Sequence, residues 1–278
     1  MRFALIDDKR KEAQPQLKGL CPCCSQPVSA KCGEQRIWHW AHCNKKTCDS
    51  WWETETEWHR SWKNNFPNEW QEVSLFDERT GEKHIADVRT AHNLVIEFQH
   101  SHIDTQERTS REKFYKNMVW VVDGTRLKRD YPRFLEGKKD NFRATGTSGF
   151  FLVNFPQKCF PTNWLESSVP VIFDFRGLAL PDEPQDVIKN TLWCLLPGRA
   201  EEYAVVAAIL RKDFVSITIS NSQFLLLQKT PHEIVSLFAN TIRQRRQLQQ
   251  EQQHRVMMAN LMRAAQRKQS WQRGRRRL

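Results

Sequence analysis

The order of elements along this 278-residue chain predicts an α/β fold in which helices cover a mixed sheet. Three observations carry that expectation. A helix-forming stretch after residue 50 leads into three short runs rich in β-branched and aromatic residues. A second helical stretch and another apolar run follow them, and turn residues separate all the pieces. A strand that follows a crossover helix is expected to return to a sheet whose faces the helices cover.

Each element has its own reason. Residues 1–49 are turn-rich and cysteine-rich and are expected to form a small separate module. In "SWWE", Glu53 stands three residues after Ser50, a capping-box spacing, so a helix is expected from Ser50 to about Phe66, where Pro67 stops it. Strands are expected over 69–77, 84–90 and 94–99, with turns at "ERTGEK" and "AHN". A helix over 106–117 then leads to a strand at 119–124, completing a core over residues 50–130. Residues 131–230 read as an α+β extension, with strands at 148–155, 169–175 and 214–220 and loops around Pro181, Pro184 and Pro197. A basic helical tail occupies 231–278.

The net charge of +11 belongs almost entirely to that tail: beyond residue 240 eleven cations face Glu251 alone. Arg pairs with phosphate in a planar fork, so Arg243, Arg245, Arg246 and their neighbours are expected to contact DNA, or else the helix meets a protein partner. No cationic leader precedes an apolar run, and the longest clean apolar run, "AVVAAIL" at 204–210, is too short to span a bilayer. A cytoplasmic protein without a membrane partner is expected.

Two acids interrupt the apolar strands: Asp87 sits between Ala86 and Val88, and Glu97 between Ile96 and Phe98. Side chains alternate faces along a strand, and a tight turn makes these two strands neighbours, so the carboxylates can converge. Paired carboxylates repel unless a cation lies between them, and a hard divalent ion such as Mg²⁺ or Mn²⁺ suits oxygen donors. On spacing alone, an ordinary hairpin with its polar face in water reads the same way. Glu55, His59 and Lys63 are four residues apart, which would stack them on one helical face, with His59 available as a general base or phosphate contact. Trp51, Trp58 and Trp62 form another stripe, suited to packing on the sheet.

Six of the eight cysteines, Cys21, Cys23, Cys24, Cys32, Cys43 and Cys48, crowd the first 49 residues. In a reducing compartment such clustering favours metal over disulfides, and Cys21-x2-Cys24 is a half-site for tetrahedral Zn²⁺. The other half is open among His39, His42, Cys43 and Cys48.

Six stretches carry a resemblance: "CPCC" at 21–24, "HWAH" at 39–42, "ETEWHRSWK" at 55–63, "IADV" at 85–88, "EFQHSHI" at 97–103 and "REKFYKNMVWVVDG" at 111–124. Together they resemble the competence protein CoiA-like family, a branch of the PD-(D/E)xK restriction-endonuclease-like nucleases, over about residues 18–124. The resemblance implies a restriction-endonuclease-like core (helix, three strands, helix, strand) behind a structural zinc module. It favours His42 and Cys48 as the remaining zinc ligands, with Cys43 as substitute, and leaves Cys23 and Cys32 as bystanders. It implies a catalytic Mg²⁺ or Mn²⁺ held by Asp87 and Glu97, with Glu55 as the acid of the first helix and Glu57 as its alternative. Gln99 stands where Lys is usual; its amide could hold the attacking water, but it brings no charge. Lys63 and Arg111 are expected at the phosphate, and Tyr115 in packing.

Two functions compete. One is a metal-dependent nuclease acting on single- or double-stranded DNA, in processing incoming DNA or in defence. The other is a catalytically inactive, zinc-containing nucleic-acid-binding protein, for which Gln99 argues. Acids facing a phosphate argue for the enzyme, because in a pure binder they would repel it. A zinc scaffold for protein partners is a third, weaker option.

Overall fold

The computed structural model describes residues 1–44, 48–51, 53–179, 186–220 and 229–275, with side chains to residue 266. Two sheets organise them. The first is antiparallel, in the order β2-β1-β3-β4-β5, from β1 (Phe3–Ile6), β2 (Lys9–Glu12), β3 (Lys18–Leu20), β4 (Pro27–Lys31) and β5 (His39–His42). Met1, Ala4, Cys21, Val28 and Trp40 form its small core. Residues 1–49 are thus more regular than their turn content suggests. Strands of three to five residues, one of them reading Lys-Arg-Lys-Glu, are too short and too polar to show an alternating pattern.

The larger sheet has nine strands. Its elements begin with α1 (Glu57–Lys63), β6 (Gln71–Phe76), β7 (Lys83–Arg89), β8 (Val95–Gln99), α2 (Thr105–Tyr115) and β9 (Met118–Asp123). They continue with α3 (Asp130–Asn141), β10 (Phe142–Ala144), β11 (Phe150–Val153), β12 (Val171–Asp174), α4 (Val187–Asn190), β13 (Thr191–Leu195), β14 (Ala204–Leu210), α5 (Arg211–Ser220) and α6 (Pro231–Arg275). The order across the sheet is β10-β11-β14-β13-β12-β9-β8-β7-β6. β9 lies parallel to both β8 and β12, and the remaining neighbours are antiparallel. The segment after residue 130 therefore widens the same sheet, with β12 beside β9 from Val171–Trp120 to Asp174–Asp123.

Alternation divides the core between the two faces. Ile96, Phe98, Val119 and Val121 pack with Trp58, Trp62, Phe214, Ile234 and Phe238 on one side. Val95, Trp120, Val122 and Phe173 pack with Tyr115, Phe134 and Phe160 on the other. Each layer is covered by helices, as a mixed sheet buried on both faces requires.

Several local expectations need correction. The first helix starts at Glu57, and its capping box joins Thr56 and His59 rather than Ser50 and Glu53. Glu53 is drawn away from that cap, because its carboxylate accepts from Gln99 Nε2 and the Ser101 amide, each at 2.8 Å. Glu55 and Trp51 therefore precede the helix instead of riding on it. Residues 214–220, expected as a strand, lie in α5: Phe214 and Thr218, one turn apart, face inward, and Phe214 packs on Trp62. Tertiary burial outweighs the β-propensity of that run. The region read as loops around 180–200 holds α4 and β13; Pro181, Pro184 and Trp52 lie outside the described residues.

One buried carboxylate locks α1 to the sheet end. Asp174 Oδ2 accepts from the indoles of Trp58 and Trp62 and from Arg211, each at 3.0 Å, while Oδ1 accepts the amides of Arg176 and Gly177. Arg211 also lies 3.8 Å over the Trp62 ring. Asp174→Ala would leave three buried donors without an acceptor and is expected to cost about 3–5 kcal/mol. Asp174→Asn keeps an acceptor oxygen and should cost less; urea midpoints at unchanged slope check both.

Candidate functional site

Two candidate sites flank the junction of the two sheets. The first lies where β7 and β8 part. Their ladder runs through Arg89–Val95 and Val88–Ile96. At the next step the side chains replace the backbone bonds: the Asp87 amide donates to Glu97 Oε1 at 3.1 Å, and the Phe98 amide donates to Asp87 Oδ2 at 3.0 Å. The strands are held apart by the two acids themselves, and a cleft opens between them. Asp49, Glu53, Glu55, His59, Lys63, Glu72 and Arg111 also line it.

Lys63 sits at its floor, 3 % exposed. Its Nζ is 2.8 Å from Glu55, 3.2 Å from Glu72 and 3.6 Å from Asp87. Burial disfavours the ammonium, but Glu72, Asp87 and Glu55 outweigh it and hold its pKa above the ordinary lysine value. Burial likewise opposes charge on Glu55, yet Lys63 and Arg60 bring its carboxyl down to about 2. Glu97 behaves in the opposite way. Burial, reinforced by Asp87, pushes its carboxyl up to about 8, against the pull of Arg111 at 3.2 Å. Glu97, beside Asp87, is therefore the cleft carboxyl whose ionised form the protein's own cations support least.

Several assigned roles change. Lys63 and Arg111, expected at the phosphate, are both buried among acids. Arg111 bonds Glu97, Glu107 and the Trp51 carbonyl, so it orients Glu97 from α2. His59 Nδ1 accepts the Thr56 amide and Nε2 bonds the Phe98 carbonyl at 2.8 Å, so both ring nitrogens are occupied in capping α1 and tying it to β8. Burial holds its pKa below the ordinary histidine value. This is a neutral structural imidazole, not a free base. Gln99 is buried on β8; its Nε2 positions Glu53, and its Oε1 has no partner among the described residues. Tyr115 is buried at the cleft wall.

Three participants were missed from sequence. Glu72, at φ 48°, accepts the amides of Arg2 and Phe3 as well as Lys63, tying β1 to β6. Asp49 accepts from His84 and from the amides of Trp51 and Ile85, tying the first module to β7. Glu53 is the third. An acid in a β-rich run was a visible signal only for Glu72; Asp49 and Glu53 carried none.

The second site is the cysteine cluster. Cys21, Cys24, His42 and Cys48 bring one ligand atom each to within 4.8 Å of one another, the one such group among the described residues. Cys21 and Cys48 sulfurs are 3.7 Å apart, and Cys24 Sγ is 3.2 Å from His42 Nε2. Tetrahedral Zn–S bonds of ~2.3 Å put sulfurs ~3.8 Å apart, so the spacing and soft donor set fit zinc. Cys43 is exposed, outside the group, and all described cysteines are unbridged thiols. In the tail, Arg243 is 3.0 Å from Glu201, and Arg246 pairs with Glu201 and Glu202. Arg245 is exposed and has no ion pair among the described residues.

Residues 6–50 match the family model described as competence protein CoiA, N-terminal domain. In this module the chain is similar to that N-terminal domain. The match spans β2 to β5 and the Cys/His cluster and ends before α1, so the likeness rests on the Cys/His module and leaves the acid cleft to its own geometry. Searches of curated proteins and of solved structures gave no match. No helix among the described residues is long and apolar enough to cross a membrane.

Zinc analysis of the purified protein is expected to give about one ion per chain. Cys24→Ser or Cys48→Ser should lose the ion and melt the CoiA-like module, whereas Cys43→Ser and Cys159→Ser should retain it. Folded wild type without zinc would remove this centre.

Proposed function

We propose that this chain is a divalent-metal-dependent deoxyribonuclease with a restriction-endonuclease-like core, acting on incoming or foreign DNA. The observation that carries the reading is the β7–β8 junction, where Asp87 and Glu97 replace ladder bonds and lie together in the cleft, with burial and Asp87 opposing the charge on Glu97. A strand pair that only needed stability would have closed with backbone bonds. The donors fit the ion: Mg²⁺ takes hard oxygens, often one or two carboxylates completed by water and substrate phosphate. Burial and then Asp87 oppose charge on Glu97, and a cation at the same place would favour its ionised form. When bound, such an ion neutralises phosphate charge and lowers the pKa of a water.

The chain's own residues have defined tasks in this reading. Asp87 and Glu97 would hold the ion, with Arg111 fixing the Glu97 rotamer. Lys63 supplies the positive charge that Gln99 cannot, from α1 instead of β8; it holds Glu55 ionised and lies 3.6 Å from Asp87. Gln99 acts through Glu53, whose carboxylate its Nε2 holds at the cleft. The CoiA description of residues 6–50 supports a competence-related role.

A second reading, a catalytically inactive nucleic-acid-binding protein, is favoured by one observation: Lys63 already compensates Glu55, Glu72 and Asp87 without an ion. Cleavage of single- and double-stranded DNA with Mg²⁺ or Mn²⁺ separates the two. The nuclease reading expects metal-dependent cleavage that Asp87→Asn and Glu97→Gln each reduce by at least about a hundredfold. Wild type inert with every divalent ion leaves only the binder.

A further inference from the structure

We propose that the loops at the carboxyl ends of β8, β9 and β12, together with the first turn of α5, form the track on which a nucleic-acid phosphate backbone reaches the acid cleft. The inference rests on the nuclease reading of that cleft. It begins from a deficit. Lys63 and Arg111 are buried among carboxylates, and Arg243 and Arg246 are paired with Glu201 and Glu202. The cations that sequence placed at the phosphate are thus largely engaged elsewhere, and an acidic cleft repels a polyanion unless other cations bring it in.

The rim at the carboxyl ends of the three parallel strands supplies them. Arg126, Lys128 and Arg129 follow β9 and are all exposed or half-buried. Arg176 follows β12, and Lys212 opens α5. None of these five has an ion pair among the described residues, whose acids on this rim are mostly committed. Asp123 accepts from His100 and Thr125, and Asp174 from two indoles and Arg211. Asp130 pairs with Arg133 and Asp104 caps α2; Asp213 lies half-buried in the first turn of α5.

Contacts join the pieces into one surface. The Gly124 amide donates to the Asp174 carbonyl at 2.9 Å. The loops after β9 and β12 approach so closely that a Cβ on Gly177 would lie 2.9 Å from Thr125 Oγ1. Arg211 bonds Asp174 and feels both Arg176 and Asp123, which places the α5 end beside these loops. The cleft end is equally continuous. His100 follows β8, bonds Asp123 at 2.7 Å through Nδ1, and its ring lies 6.1 Å from that of His59, which lines the cleft. His100 is partly exposed, and its Nε2 has no partner among the described residues. In open α/β sheets, ligands occupy this carboxyl end. A phosphate backbone is the occupant that unpaired cations on adjoining loops match, because affinity then comes from neutralising successive phosphates.

The test is binding of a short fluorescein-labelled single-stranded DNA, followed by anisotropy against salt, with zinc-loaded full-length protein and no divalent ion added. The combined variant Arg126→Ala, Lys128→Ala, Arg129→Ala should weaken binding by at least about tenfold. It should also flatten the salt slope by about 0.7 for each phosphate that is no longer neutralised. Lys128→Glu should weaken binding further than Lys128→Ala. All are surface changes, and zinc content and circular dichroism should match wild type. Unchanged affinity and slope would overturn the track, as would a wild type that binds no DNA or loss of all binding on deleting residues 241–278 alone. The nuclease reading is judged separately by cleavage. A cleaving protein whose rim variants bind normally loses only the track. An inert protein whose rim variants lose DNA keeps the track and loses the enzyme.

Discussion

A buried ammonium holds the molecule's two halves in register. Lys63 reaches Glu55 ahead of α1, Glu72 on β6 and Asp87 on β7, three acids separated along the chain and gathered on one cation. Removing one partner from such a buried set leaves an uncompensated charge, which is costly, so the members depend on one another. Glu72 extends the dependence to the CoiA-like module, because the same carboxylate holds the amides of Arg2 and Phe3. Asp49 makes a second tie from that module to His84 and Ile85 on β7.

That framework explains why the cleft lies where it does. With Lys63 satisfied by three carboxylates, Glu97 is left to Arg111 alone, and burial, with Asp87 beside it, raises its carboxyl to about 8. The strands cannot close over this pair, since each acid caps an amide of the opposing strand. On the proposed nuclease reading, Lys63 on α1 supplies the positive charge that Gln99 on β8 does not. The Cys/His cluster would play a different part: zinc held there would tether a module with a small core, as in small metal domains.

The pieces of this arrangement that sequence revealed were those with local periodicity. Asp87 and Glu97 stood out because strand alternation and a short turn align them, and the β7–β8–α2–β9 succession follows from ordinary strand and turn signals. Cys21 and Cys24 showed through spacing, and the resemblance pointed to the His42 and Cys48 that the structure gathers beside them. What was hidden depends on distant partners. Nothing near Glu53 announces Gln99 and Ser101, and nothing near Asp49 announces His84. The apparent capping box at Ser50 failed because Glu53 had a better partner across the cleft. The β-branched stretch at 214–220 became α5 because Phe214 could bury against Trp62. His59 looked like a base only until its two nitrogens were seen to be taken.

The central claim is that Asp87 and Glu97 together form a site for a divalent cation that Lys63 does not replace. Mn²⁺ binding to the zinc-loaded protein, followed by electron paramagnetic resonance, tests it without reference to DNA or turnover. The account predicts about one Mn²⁺ per chain beyond the zinc, with affinity at least about tenfold weaker in Asp87→Asn and in Glu97→Gln while zinc content is unchanged. Absence of Mn²⁺ binding, or binding that neither substitution weakens, would contradict it.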